Sequence, residues 1–286
     1  MMIKLKLAIQ KSGRLHDDSV AFIEKCGINL PINKAILTAE SPNFPIQLLF
    51  LRDDDIPSFV ENGVADIGIV GLNEVAEQSK NIDIIKELGF SKCRLSLAVP
   101  KSFPYQELTD LNGLKIATSY PHILQKFLKE NQIQAIIQQI SGSVEIAPSV
   151  GLAESIFDIV SSGSTLISNG LKEIHTVMKS QAVLVCNKNL DSEKRQIVDK
   201  LLFRMQALLE AKNFKYIMFN FPNESKETIV NIIPGMKSPT IVPLGDEKWS
   251  ALHSVVEENL FWLKIEELKK AGAEDIVVLP IEKIIK

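Results

Sequence analysis

Two carboxylates four residues apart, Glu154 and Asp158, run directly into the small hydroxyl-bearing stretch Ser161-Ser162-Gly163-Ser164-Thr165. Residues 151 to 157 read as a helix, Asp158-Ile159-Val160 as a short strand, and the loop after it as the start of another helix. Backbone N–H groups at a helix start lack partners and sit at the positive end of the helix dipole, so they can hold a phosphate monoester without a lysine. Gly163 lets the backbone approach an anion closely, and Ser161, Ser162, Ser164 and Thr165 add hydroxyl donors. The acids would repel a phosphate but accept hydrogen bonds from sugar hydroxyls. The combination points to a ribose 5-phosphate. The same loop also suits a plain helix N-cap, and the local pattern alone leaves both readings open.

A second candidate lies near the N-terminus, where Lys11 and Arg14 flank Gly13 after a first strand, Lys4 to Ile9. Open α/β sheets bind ligands at the carboxyl ends of their strands, so this turn is an anion site or a solvated basic turn. Arg52, Lys92 and Arg94 also stand beside strand ends. His16, His122, His175 and His253 fall in no metal-ligating spacing, and the chain holds no GxSxG elbow, GxxxxGK[ST] loop or GxGxxG fingerprint. Hydrolase, P-loop and dehydrogenase readings therefore lack their main supports, and the sequence assigns no protein metal ligand.

Elements that would position these residues alternate between strand and helix. A helix is expected from Asp17 to Glu24, strands at Ile46–Leu51 and Asp66–Val70, and a helix after Arg52-Asp53-Asp54-Asp55. Cys93 to Pro100 reads as a strand crossing into a second lobe, with strands at Leu114–Ser119 and Ala135–Gln139 around a helix from Pro121 to Glu130. Ala182 to Cys186 returns to the first sheet. Ala65-Asp66-Ile67-Gly68-Ile69-Val70-Gly71 is echoed by Phe157-Asp158-Ile159-Val160-Ser161-Ser162-Gly163, so the lobes read as related halves. After a long helix from Ser192 to Lys212, the tail has the order βαββαβ, with Asn259 as cap and Gly272 as terminator of its second helix; that is the ferredoxin-like plan. The expected domains are 1–94 with 180–212, 95–179, and 213–286. A cleft between two α/β lobes is the natural ligand site.

A chain of 286 residues with 45% hydrophobic and 23% charged residues can bury a large core. The formal net charge of −3 argues against a nucleic-acid partner. Three scattered cysteines fit a reducing compartment, and no apolar run approaches the ~20 residues of a membrane span. Without a signal-peptide pattern, the expected location is the cytoplasm. A solute receptor would carry such a signal and a transcription regulator a helical DNA-binding module; neither pattern is read here.

Many ordered segments resemble the long form of the ATP phosphoribosyltransferase family. They include Ala8-Ile9-Gln10-Lys11-Ser12-Gly13-Arg14-Leu15, Asp66-Ile67-Gly68-Ile69-Val70-Gly71, Cys93-Arg94-Leu95-Ser96-Leu97-Ala98, Gly142-Ser143-Val144-Glu145-Ile146-Ala147-Pro148, Asn169-Gly170-Leu171-Lys172 and Pro239-Thr240-Ile241-Val242-Pro243-Leu244. The resemblance implies a type II periplasmic-binding-protein-like catalytic body with a ferredoxin-like (ACT-like) regulatory domain. It implies that adenine N1 of ATP attacks phosphoribosyl pyrophosphate with Mg²⁺, releasing pyrophosphate in the opening step of histidine biosynthesis. Residues Ser161 to Thr165 would hold the 5-phosphate, and Glu154 and Asp158 the ribose hydroxyls and the positive charge developing on the ring. Lys11, Gly13, Arg14, Arg52 and Arg94 would meet pyrophosphate and triphosphate charge, and Tyr120 would line the adenine site. The tail would sense histidine as a feedback inhibitor, with Asn220 and Thr240 as effector contacts, in a homo-oligomer from dimer to hexamer.

Overall fold

Strand β1 (Leu5–Gln10) buries Leu5, Leu7, Ala8 and Ile9 completely, the mark of a central strand covered on both faces. In the computed structural model, which describes residues 3–31 and 37–286, the first lobe continues through α1 (Arg14–Lys25), β2 (Thr38–Glu40), β3 (Ile46–Leu51), α2 (Ile56–Glu61), β4 (Ile67–Gly71), α3 (Leu72–Gln78) and β5 (Ile82–Glu87). Met1 and Met2, part of the N-terminal reading, lie outside the described residues. The second lobe holds β6 (Cys93–Pro100), β7 (Lys115–Thr118), α4 (Pro121–Glu130), β8 (Ile136–Gln139), β9 (Ser155–Val160), α5 (Ser164–Ser168) and β10 (Leu171–Ser180); β11 (Ala182–Asn187) returns to the first sheet and α6 (Ser192–Ala211) follows.

The sheets run β2-β3-β1-β4-β11-β5 and β10-β6-β9-β7-β8. In the first, β1 is parallel to β3 and β4, and β11 lies antiparallel to β4. In the second, β7 is parallel to β8 and β9, and β6 lies antiparallel to β9. Each sheet thus has three adjacent parallel strands with a reversed strand beside them by which the chain crosses, and further strands at its edges, on the bilobal plan read from the sequence.

The repeat is one of topology, and it corrects the register of the sequence echo. Asp66 precedes β4, and its carboxylate accepts Lys6 N of β1 at 2.7 Å. The residue in that place in the second lobe is Glu154, whose Oε2 accepts Lys115 N of β7 at 2.7 Å while its own N–H bonds Lys115 O. Asp158 instead occupies the place of Val70. The helix expected over 151–157 is absent. Gly151 has φ +74, and Ser155, Ile156 and Phe157 are all fully buried on a strand that opens at Ser155.

Other differences are local. Helix α1 starts at Arg14 rather than Asp17, because Gly13 turns the chain and Asp17 falls inside the first turn. The strands β2, β5 and β10 and helix α3 were not read from the sequence; β5 and β10 mix charged and apolar residues without clean alternation. Two apolar clusters pack against opposite faces of the second sheet, one around Phe157, Leu97 and Leu124, the other around Ile156, Val160 and Leu166.

Residues 1–200 and 201–286 form separate compact units. The second contains β12 (Phe214–Pro222), α7 (Lys226–Ile232), β13 (Thr240–Pro243), β14 (Trp249–Glu257), α8 (Glu258–Lys270) and β15 (Glu274–Pro280), in the antiparallel order β13-β14-β12-β15. This is the ferredoxin-like arrangement, with Phe219, Phe221, Ile229, Leu252 and Phe261 in its core. Glu257, not Asn259, stands at the start of α8, and Gly272, at φ +91, follows its end.

Gly68 in β4 has no room for a side chain: a Cβ there would lie 2.6 Å from Ile56 Cγ2 and 3.1 Å from Val60 Cγ2. Gly68→Ala should cost about 1–3 kcal/mol through overpacking. Urea unfolding would show this as a lower midpoint with an unchanged slope.

Candidate functional site

The end of β1 feeds the turn Lys11-Ser12-Gly13, where Gly13 adopts φ 95 and ψ −176, a conformation essentially reserved for glycine. The turn launches α1 at Arg14 and sends that side chain across to the second lobe. Arg14 Nη1 donates to Ser161 Oγ at 2.5 Å and Nη2 to Lys92 O at 3.3 Å. Both acceptors are neutral, so the guanidinium charge remains available to an anion. Ser161 opens the loop after β9, Gly163 has φ +84, and the Ser162 and Ser164 hydroxyls bond each other at 2.9 Å. Helix α5 is only five residues long. Its dipole is correspondingly small, so the groups the loop offers to an anion are its N–H groups, its hydroxyls and Arg14.

Arg94 is brought to the same loop but is occupied. Its Nη1 donates to Ser161 O at 3.1 Å, its Nε to Glu173 Oε1 at 2.6 Å, and its Nη2 to Glu173 Oε2. Ser96 and Thr176 hydroxyls also donate to Glu173, at 2.8 and 3.1 Å. These hydrogen bonds, that from Arg94 above all, hold the Glu173 carboxyl down to about 2. Arg94 therefore braces the first residue of the loop, with its charge matched by Glu173.

Asp158 and Glu154, expected side by side, are separated. Four residues along a strand span about 13 Å, and Glu154 is spent on Lys115 at the far end of β9. Asp158 lies near the loop end. Burial pushes its carboxyl up to about 6, the Ile159 N–H opposes that, and the charge of Glu145 adds to it. Glu145 sits in a 3-10 turn, Val144–Ile146, reached through Gly142 at φ +79 and Ser143 at φ +51. It belongs to the segment Gly142 to Pro148 quoted above, yet was given no role; its signal was an acid following a glycine turn.

Tyr120, the expected base-lining ring, is buried and holds a carboxylate. Its hydroxyl donates to Glu74 Oε1 at 2.9 Å, and Asn73 Nδ2 donates to the same oxygen at 3.1 Å. Asn73 is in turn fixed by Ser180, whose hydroxyl donates to Asn73 Oδ1 at 2.8 Å. A side chain at Gly71 would strike Asn73 Oδ1, so glycine there is what admits this network. Burial, with smaller contributions from Asp53, Asp54 and Glu77, pushes Glu74 up to about 7 against the Tyr120 hydrogen bond. The Tyr120 phenol is raised as well, by burial first and then by Glu74. One turn on, Glu77 takes the His122 and Ile123 N–H groups at 2.9 Å each, capping α4 of the second lobe from α3 of the first. A cavity of about 230 Å³ between the lobes is lined by Arg14, Asp53, Asn73, Glu74, Cys93 and Ile159, among others. Neither the Glu74 cluster nor Glu77 was singled out from sequence, because burial is what distinguishes them.

The remaining candidates do not join this group. Lys11 is exposed beside Gly13, and Arg52 makes two hydrogen bonds to Asp54, at 3.1 and 2.9 Å, on the surface. In the second unit, Asn220 and Thr240 share the sheet face opposite the core helices, two strands apart, and Asn220 Nδ2 donates to Asp275 Oδ2 at 3.1 Å.

The comparisons with known proteins agree over the whole chain. A family profile described as "ATP phosphoribosyltransferase" matches residues 52–207, and one described as "HisG, C-terminal domain" matches 211–283. An ATP phosphoribosyltransferase of Cytophaga hutchinsonii is 54% identical over 286 residues, covering 100% of both chains. One from Bacteroides fragilis is 53% identical over 281 residues, 98% of this chain and 99% of the relative. Among solved structures, an ATP phosphoribosyl transferase (HisG:HisZ) complex from Thermotoga maritima aligns with TM-score 0.62 at 29% identity, covering 72% of this chain and 98% of that one.

The Glu173 brace has a pH signature. A carboxyl held at about 2 in the fold and at its ordinary 4.5 when unfolded adds stability above pH 4.5, and that stability is lost as pH falls toward 2. Acid unfolding of Glu173→Gln should lack this limb, with stability between pH 2 and 5 flatter than in the parent.

Proposed function

The chain belongs to the ATP phosphoribosyltransferase family, and we propose that the Ser161–Thr165 loop, Arg14 and Asp158 form its phosphoribosyl site. The enzyme joins ATP to phosphoribosyl pyrophosphate through adenine N1, giving phosphoribosyl-ATP and pyrophosphate, the first step of histidine biosynthesis. The observation that supports the site is the Arg14–Ser161 hydrogen bond, which brings an uncompensated cation of one lobe onto the phosphate loop of the other.

In this reading the loop N–H groups and hydroxyls hold the 5-phosphate, while Arg14, with Lys11 nearby, takes the pyrophosphate that departs. Asp158, three residues before the loop, accepts the ribose hydroxyls and stabilises the positive charge that grows on the ring as the anomeric bond breaks. Glu145 keeps company with it, and Arg94 holds the loop in place through the Ser161 carbonyl. Glu154 is left out of the chemistry by its place at the start of β9. The substrates supply nucleophile and leaving group, so the protein contributes position and charge.

Mg²⁺ fits as an ion carried by substrate. Among the described residues no three His, Cys, Asp or Glu side chains meet as a metal cage. Mg²⁺ is commonly bound through phosphate oxygens with one or two carboxylates, and Asp53 at the cleft is placed to be one. Bound there, it would neutralise charge on the departing pyrophosphate. The second unit is the histidine-sensing domain in this proposal, with Asn220 and Thr240 on its open face, and the active enzyme is a homo-oligomer from dimer to hexamer. No described helix is long and apolar enough to cross a membrane. Three scattered cysteines suit the reducing conditions of a cytoplasmic enzyme.

Purified protein given ATP, phosphoribosyl pyrophosphate and Mg²⁺, with pyrophosphate removed enzymatically, should form phosphoribosyl-ATP. Asp158→Ala should lower kcat by about a hundredfold or more without changing the melting temperature by many degrees. Absence of product from the parent protein would sink the catalytic reading. Histidine should inhibit the parent, and Asn220→Ala with Thr240→Ala should weaken that inhibition; equal inhibition of parent and variant would remove those two residues from the effector site.

A further inference from the structure

The cleft holds a carboxylate that the phosphoribosyl reading leaves unused. Glu74 sits on α3 beneath the first lobe's strand ends, buried yet lining the same 230 Å³ cavity as Arg14. Its two hydrogen bonds, from the Tyr120 hydroxyl and Asn73 Nδ2, both fall on Oε1. Around it the cavity wall is largely apolar, with Leu15, Gly71, Ile159 and Ala182. A slot with an apolar wall and a buried carboxylate on its rim, beside the polar side chains of Gln10, Asp53, Asn73 and Ser91, suits the flat ring and amino edge of an aminopurine.

We propose that Glu74 is a catalytic residue of this enzyme, accepting a hydrogen bond from the exocyclic amino group of the adenine and taking one of its protons as N1 bonds to the anomeric carbon. The inference rests on the reaction described above. In that step the N1–C1′ bond forms, and the C1′–O bond breaks with its electron pair leaving on pyrophosphate. The alkylated adenine carries a positive charge shared between N1 and the amino nitrogen. Transfer of an amino proton to the Glu74 carboxylate leaves the adenine neutral as its imine, and the protonated carboxyl then yields the proton to water. A base is most effective when its pKa lies near the working pH, and burial has set Glu74 at about 7. The titratable and charged groups around it are Asp53 and Asp54 before α2, Glu77 on its own helix, Tyr120 just before α4, Asp158 on β9, and Arg14 and Cys93 across the cavity. Tyr120 and Asn73 are positioning residues: they aim the carboxylate, and the Tyr120 hydrogen bond holds its pKa down.

The test is the pH dependence of kcat from pH 6 to 9 with ATP and phosphoribosyl pyrophosphate. The parent should show an ascending limb centred near 7. Glu74→Gln, close to isosteric, should lower kcat at pH 8 by about a hundredfold, abolish that limb and leave KM for phosphoribosyl pyrophosphate unchanged. Tyr120→Phe should move the limb to higher pH, and with the triphosphate of purine riboside, which lacks the amino group, parent and Glu74→Gln should react at similar rates. A Glu74→Gln enzyme with the parent's kcat and limb would overturn the proposal. So would a Tyr120→Phe limb that does not move, a readout that holds even if Glu74→Gln misfolds. A parent protein that forms no phosphoribosyl-ATP would count instead against the reaction itself.

Discussion

Two strands that run against their neighbours decide where everything else can be. The chain leaves the first lobe after β5 and returns on β11, and both crossings insert a reversed strand, β6 or β11, beside the last parallel strand of a sheet. The crossing segments also bond each other, Leu88 N to Ala182 O and Ala182 N to Phe90 O, each at 3.0 Å. That short ladder sets the loops after β1 and β4 against the loop after β9. The bonds of Arg14 to Ser161, after β9, and of Tyr120, after β7, to Glu74 join the same two lobes.

Much of this was legible as pattern, and what was not legible was burial. Gly13 between two cations and the hydroxyl loop around Gly163 announced themselves by composition, and βαββαβ order in the tail followed from turn residues and periodicity. The error over residues 151–157 lay in reading a helix up to a strand that opens only at Asp158, whereas Gly151 breaks the turn and three buried residues in succession start the strand at Ser155. Glu74 and Glu77 carry no sequence pattern that sets them apart from ordinary surface acids, and α3 itself has none that marks it as a helix. Only the packing of α3 under α4 turns one into a buried carboxylate and the other into a cap for two N–H groups.

Charge is handled locally in a molecule whose net charge is negative. Arg94 is matched by Glu173 and Arg52 by Asp54. Arg14, in contrast, hydrogen-bonds a hydroxyl and a carbonyl among the described residues. A cation bonded to neutral oxygens keeps its field in the cleft, and burial raises the carboxyls of Asp158 and Glu74 above the ordinary carboxylate range.

The matched acids Asp66 and Glu154 carry a lesson in how a two-lobed enzyme divides its variation. Each fastens the base of a strand to the neighbouring strand through a lysine N–H, by the same bond of 2.7 Å. Four residues higher the lobes part company, with Val70 in one and Asp158 in the other; three further, one has Asn73 and the other Ser161. Footings are held in common while the summits differ, so the altitude of a residue along its strand tells builder's work from chemist's work. An engineer seeking a new specificity on this frame would leave the footings alone and rewrite the summit of a single lobe.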